Sequence, residues 1–248
     1  METGPKIEHT ITTIWFTLVM AASCTTADDA LRMSFLPLET GFQLLAGLNL
    51  AMGAFADQDQ PIKSTNDGFA GPGPAIGARG HLTFGSSGLD IVLDLSVLTA
   101  TINKPGIEHA IREEYAFAGN MNVDTKARMW WVGIPLTIGP RLGIEVRPGF
   151  AFYGVGLFGV AFIKMPDISF ESPIVAGTYE HTPTVGACVA GELGVTFTHL
   201  VCGARIFAAP SLEIDSHETL SHAGVDTSDR YTRANAVQSV ILFIGYRF

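Results

Sequence analysis

The chain has 248 residues, with 15 Lys and Arg against 24 Asp and Glu; the formal charge of -9 excludes nucleic acid as an expected partner. Only 16% of residues are charged and the mean hydropathy is +0.30, which is apolar for a soluble domain. A helical membrane protein is excluded in turn, because spans of about 20 apolar residues are missing and 27 glycines disfavour long helices. Residues 1–27 read as a secretory signal: Lys6 supplies a basic start, Thr10–Ala22 an apolar stretch, and small residues follow. Cleavage near Ala27 starts the mature protein near Asp28, whereas cleavage before Cys24 in "AASC" would place a lipid on Cys24. Residues 28–41 are expected to form an N-terminal periplasmic segment, and residues 42–248 a single domain.

From Phe42 onward, apolar and polar stretches alternate. Charges gather in Asp57–Gly73, Thr101–Arg128, Lys164–Thr182 and Pro210–Arg233, which read as four long loops. Three apolar stretches are split by short turn signals at Gly85–Gly88, Gly139–Gly143 and Thr198–Leu200. The order strand, long loop, strand, short turn, repeated, makes about eight strands, with ten as the alternative if Gly154–Ile163 holds extra pairing. Within the strands the side chains alternate. Leu89, Ile91, Leu93, Leu95 and Val97 share one parity, and Asp90, Asp94 and Ser96 share the other. The same split separates Phe42, Leu44 and Leu48 from Gln43 and Asn49, and Val185, Val189 and Leu193 from Glu192. Period-two segments of about ten residues fit tilted strands crossing a bilayer, and a sheet in lipid must close on itself. The expected fold is therefore an all-β, closed, antiparallel, up-and-down transmembrane β-barrel with four long loops and three short turns.

The last strand, with Val240, Leu242, Ile244, Tyr246 and terminal Phe248 on one parity, resembles the C-terminal signature of bacterial outer-membrane β-barrels. Gly133–Gly156, with its "IPL" strand, short turn and Gly/aromatic strand, is similar to the central hairpin of the small barrel group that includes the OmpA transmembrane domain, OmpX and OmpW. The resemblance implies an outer-membrane location, recognition of the last strand by the barrel-assembly machinery, short turns on the periplasmic side, loops on the cell surface, and outer-membrane lipid around a monomer.

Parity places Arg79, Arg147, Arg205 and Arg247 inside with Asp90, Asp94, Glu145 and Glu192, four positive and four negative. An eight-stranded barrel is just wide enough for side chains to fill, so these charges are expected to pair into a plug; a gated narrow pore is the alternative. Trp130, Trp131, Phe150, Phe152, Phe158, Phe162, Tyr246 and Phe248 are expected near strand ends or along the lipid face, with a core or ligand-pocket role as the alternative. In the loops, Ile107–Tyr115 reads as a short helix with Glu108 and Arg112 at i, i+4. Asp215, His217, Glu218 and His222 have no standard metal spacing, and no metal or other cofactor is expected. Cys188 and Cys202 fall on opposite faces, so no disulfide is expected. No catalytic residue is assigned: His81 lies beside Thr83 rather than a serine, and Ser216–His217 lacks a placed acid, which leaves a lipid-modifying enzyme without a triad. The expected role is structural or interactive, through loops that contact a surface or host partner. OmpW-like passage of small or hydrophobic solutes is the alternative.

Overall fold

The computed structural model describes residues 38–56, 69–84, 89–114, 123–127, 130–173 and 175–248; the signal region and Cys24 lie outside them. Eleven strands form one antiparallel sheet. They are β1 (Leu38–Ala51), β2 (Gly73–Phe84), β3 (Leu89–Ala100), β4 (Asp124–Ala127), β5 (Trp131–Arg147), β6 (Phe150–Lys164), β7 (Ile168–Glu171), β8 (Val175–His181), β9 (Thr184–Phe197), β10 (Leu200–His222) and β11 (Val225–Arg247). Eight of them close a ring in the order β1-β2-β3-β5-β6-β9-β10-β11, with β11 returning to β1 over Gln43↔Arg247 to Ala51↔Ser239. Closure pairs the backbone all round, as lipid demands. The alternation then sorts the side chains. Ile76, Leu93, Leu95, Phe158, Leu193, Ile206 and Ile244 are exposed on the outer wall, whereas Arg79, Asp94, Val155, Glu192, Val201 and Arg205 are buried inside. Among the described residues no helix is long and apolar enough to cross a membrane.

One expected feature moves. The turn expected at Gly139–Gly143 is not there: β5 runs unbroken from Trp131 to Arg147 and turns at Pro148–Gly149, where Gly149 takes φ 77°. "GPRLG" mimics turn chemistry, but Gly139 is needed for close approach, since a Cβ added there would lie 1.8 Å from the Gly156 carbonyl oxygen. Trp131 lies at the start of β5, the expected strand end, but its side chain is buried inside, with its ring edge-on to Phe55 at 4.9 Å; Trp130 is the exposed member of the pair.

The expected fourth loop is a hairpin. β10 and β11 are each 23 residues long, about 75 Å at roughly 3.3 Å per residue, far more than the 9–11 or so needed to span a bilayer. They meet at Ala223–Gly224, both at positive φ (52° and 77°), as a tight two-residue hairpin turn requires. The break between barrel and extension is marked by Pro210. Pairing of β10 with β9 ends at Ala208↔Val189, the register with β11 shifts between Ala209 and Leu212, and β10 then pairs with β8 from Ser216↔His181 to His222↔Val175. β7 and β4 complete a five-stranded cap made of β4, β7, β8 and the outer halves of β10 and β11.

Helix α1 (Lys104–Glu114) packs on one face of this sheet. Asn103 Oδ1 accepts the Gly106 N–H at 3.2 Å to cap its start, and Ile107, Ala110 and Ile111 recur at i, i+3, i+4 as the buried stripe. Their partners are Phe69, Val123, Ile168, Phe170, Val175 and Tyr179, a second core separate from that of the barrel. Glu108, expected to pair with Arg112, instead faces Lys104 at 3.9 Å and accepts from Thr125 at 3.1 Å.

Because the cap has its own core, Ile111→Asp is expected to expose the 165–183 hairpin to protease while the barrel stays folded. Limited proteolysis, read beside the heat-dependent shift in gel mobility, checks this; simultaneous loss of both would contradict it.

Candidate functional site: a salt-bridged lumen and a folded cap

The lumen is crossed by a closed ring of four charges. Arg79 and Asp94 are cross-strand neighbours on β2 and β3, Arg205 and Glu192 on β10 and β9, and these two strand pairs lie on opposite walls of the eight-stranded ring. Arg79 donates in a fork from Nη1 and Nη2 to Glu192 Oε1 and Oε2 at 2.7 and 2.6 Å, and from Nε to Asp94 Oδ2 at 3.1 Å. Arg205 repeats the pattern with the carboxylates exchanged. Its Nη1 and Nη2 donate to Asp94 Oδ1 and Oδ2 at 3.0 and 2.8 Å, and its Nε donates to Glu192 Oε2 at 2.8 Å. Ser96 Oγ adds a bond to Asp94 Oδ1 at 2.7 Å. The four charged residues are only 0–4% exposed. Each guanidinium thus grips one carboxylate with two parallel bonds, the strongest geometry available to such pairs, and the desolvation of each ion is met by two opposite charges.

Above the ring, toward the long loops, the lumen is mostly apolar, with Asn49 and Ser239 among its lining. Leu98, Trp131, Ile163, Phe207 and Val237 close in around a cavity of about 20 Å³, space for no more than about one or two water molecules. Below it lies a second ion pair, Arg141 Nη1 donating to Asp90 Oδ2 at 2.8 Å, with the Arg141 guanidinium over the Tyr153 ring at 4.5 Å. The eight residues expected to share the lumen therefore divide. Arg79, Asp94, Glu192 and Arg205 meet in the ring, Asp90 takes Arg141, and Arg247 is half-buried at the turn end. Glu145 and Arg147 have inward parity but sit past the end of the wall, exposed; Glu145 accepts the Gly149 N–H and Arg147 lies over Phe150. Arg141 was hidden in the supposed turn, although it has the same parity as Arg147. On the last strand, Leu242, Ile244, Tyr246 and Phe248 face outward, Val240 is half-buried, and Tyr246 stacks on His199 at 5.6 Å. Cys188 points into the lumen and Cys202 outward, both free.

In the cap, alternation sends Asp215 and His217 to the outer face and Glu218 to the helix-covered face, so the polar cluster read from the fourth loop does not converge. Asp215 instead accepts from Thr232 at 2.6 Å and His217 Nε2 meets Ser228 Oγ at 2.8 Å. A shallow groove of about 300 Å³ crosses the outer face, floored by Ser169, Thr178, Thr219 and Ser221 and flanked by Lys126 and Glu171. Where the cap joins the barrel, His181 is buried with Nδ1 against the Pro166 carbonyl at 2.8 Å and Nε2 against Arg233 Nη2 at 2.8 Å. Arg233 can only donate, so His181 Nε2 accepts and the ring is neutral, protonated at Nδ1. Burial and the Arg233 guanidinium push the imidazole down to about 3. Burial pushes the Asp167 carboxyl up, but the His181 backbone N–H at 3.0 Å and the Lys164 ammonium at 2.9 Å outweigh it and hold the group below the usual carboxylate range.

No protein-family model matches the chain, and no curated protein matches it in sequence. Solved structures similar to it are outer-membrane proteins. A major outer-membrane protein of Thermus thermophilus is 12% identical, with TM-score 0.47 over 84% of this chain and 99% of that one. Neisserial surface protein A is 10% identical, with TM-score 0.43 over 85% and 97%. The attachment invasion locus protein of Yersinia pestis is 11% identical, with TM-score 0.39 over 86% and 100%. The chain's own walls make the argument: an eight-stranded closed sheet with an apolar exterior and a charged, filled interior is an outer-membrane β-barrel.

Glu192→Gln leaves two guanidiniums with one full carboxylate, and is expected to cost about 3 to 5 kcal/mol of barrel stability, measured by urea unfolding in detergent. His181 ties the cap to pH. Its folded value lies below its unfolded value of about 6.5, so the unfolded state binds the extra proton and the contribution, complete above pH ~6.5, is lost as pH falls toward 3. Hydrogen exchange of β8 is expected to quicken over that range, and His181→Phe is expected to flatten the response.

Proposed function

We propose that this protein is a sealed, non-catalytic outer-membrane anchor that presents a folded cap to partners at the cell surface. One observation carries the reading: the lumen is crossed by a fully paired ring, while β10 and β11 run far past the bilayer into a sheet with its own helix-covered core. A pore-forming role would favour an open or loosely filled lumen. A display role favours a rigid foundation and ordered surface structure, because a loop held in one conformation loses less entropy on binding. The outer cap face, with hydroxyls across its floor and Glu171, Glu180, Asp215 and Asp226 exposed, suits a polar and basic partner. All eight wall strands come from one chain, which supports action as a monomer. The outward apolar parity of the last strand supports its recognition by barrel-assembly machinery.

Two measurements test the proposal together. Planar-bilayer recording of the purified protein is expected to show no large, defined channels, and liposomes carrying it are expected not to swell in small sugars or take up hydrophobic solutes. Cells displaying the protein are expected to bind basic surface or matrix proteins, and to lose that binding when 165–183 is replaced by a short turn. Steady solute uptake with unchanged surface binding would overturn it in favour of transport.

A further inference from the structure

The polar layer below the ring, at the short-turn mouth, is not used by the display role. Its members are Gln43, His81, Asp90, Arg141, Thr196 and Arg247, drawn from six different wall strands. The register pairs Gln43 with Arg247 across β1 and β11 and with Arg79 of the ring across β1 and β2, and pairs Asp90 with Arg141 across β3 and β5. Arg141 Nη2 also reaches Thr196 Oγ1 on β9 at 3.3 Å. His81, whose imidazole occupies the space a Cβ on Gly41 would fill, lies within electrostatic reach of Arg247, Arg141, Asp90 and Arg79.

Two features of this layer ask for a ligand. The first is charge: the ring above is neutral, two against two, and Arg141 is matched by Asp90. Arg247 adds a cation for which there is no ion pair among the described residues. The second is unmet hydrogen bonding. Arg141 Nε, His81 Nδ1 and Gln43 Oε1 have no protein partner, although the three residues are 6%, 3% and 1% exposed. Leaving buried polar atoms unpaired costs about 1 to 3 kcal/mol each. The unmet atoms are a guanidinium N–H, an imidazole nitrogen and an amide oxygen, so the missing partner must accept from the Arg141 guanidinium and also donate to Gln43. Chloride does only the first, and water does both but leaves the Arg247 charge unmatched. A protonated oxyanion does both, through its charged oxygens and its O–H, and its geometry matches a guanidinium.

We infer that the short-turn mouth of the barrel is a binding site for a small protonated oxyanion of the hydrogen-phosphate type, held by Arg141, Arg247, His81 and Gln43. The site lies below the seal, so it takes ions from the turn-side compartment and passes none across.

The test uses the full mature chain refolded in nonionic detergent, with inorganic phosphate as probe and sodium chloride holding ionic strength constant. Phosphate is expected to raise the unfolding midpoint saturably, and to broaden its own ³¹P resonance in a way that excess chloride does not reverse. Arg247→Gln, which touches neither ion pair, is expected to keep the barrel folded and to lose both effects, and Gln43→Leu to weaken them. A midpoint that does not saturate, a ³¹P line that stays sharp with the unmutated protein, or equal binding by Arg247→Gln would each overturn the inference. If Arg247→Gln fails to refold, the ³¹P line of the unmutated protein, competed by chloride, decides alone: sharp or chloride-reversed overturns the site, broad and chloride-resistant supports it.

Discussion

A polypeptide in hydrocarbon must satisfy every backbone N–H and C=O from within, and the rest of this structure follows from that demand. A sheet meets it only by closing, and here β11 closes onto β1 over nine residue pairs. Closure gives each strand one face in lipid and one in a narrow interior. The outer face takes Leu93, Leu95, Leu193 and Ile206; the inner face takes what lipid would refuse, including two arginines and two acids at one level. Eight strands leave little room, so those charges have no bulk water to fall back on and must meet each other. The doubly forked ring of Arg79, Asp94, Arg205 and Glu192 is that meeting, and it ties together opposite walls that no backbone bond joins.

One pair of strands serves two solvents. Below Pro210, β10 alternates Ile206 toward lipid with Arg205 and Phe207 toward the lumen. Above it the same strand alternates Asp215, His217 and Thr219 toward solvent with Ser216, Glu218 and Leu220 toward α1 and the barrel top. The side-chain period never changes; only the medium does. The register shift at Pro210 lets β10 part from β9 and take β8 as its new neighbour, which turns a barrel strand into the middle of an open sheet. Barrel and cap are thereby continuous in backbone but separate in core.

Much of this was legible in the residues. Alternation puts Asp94 inside between Leu93 and Leu95, and the parity count does the same for Glu192, Arg79 and Arg205, whose neighbours include Gly191, Ala78, Gly80 and Ala204. Partnership across the barrel was not legible, since it depends on shear between strands far apart in sequence. Arg141 escaped because Gly139 and Pro140 carry the same signature in a turn as in a tightly packed strand. The outer halves of β10 and β11 read as a loop because a strand with water on one face and a mixed core on the other shows no apolar stripe. β4, β7 and β8 are too short, at four, four and seven residues, to show a period at all. Trp131 sits at a strand end as expected, and a strand-end aromatic fits either the membrane interface or, as here, the top of a packed lumen.

Site-directed spin labelling along β3 in lipid bilayers shows whether neighbouring residues on one strand face two media. Single cysteines at Val92, Leu93, Leu95, Ser96 and Val97, in a background lacking the native cysteines, would be scored for collision with oxygen, which partitions into lipid, and with a water-soluble nickel complex. Oxygen accessibility is expected to be high at Leu93, Leu95 and Val97, and accessibility to both probes low at Val92 and Ser96. Uniform access to nickel along the strand, or a 3.6-residue period in place of two, would contradict this alternation.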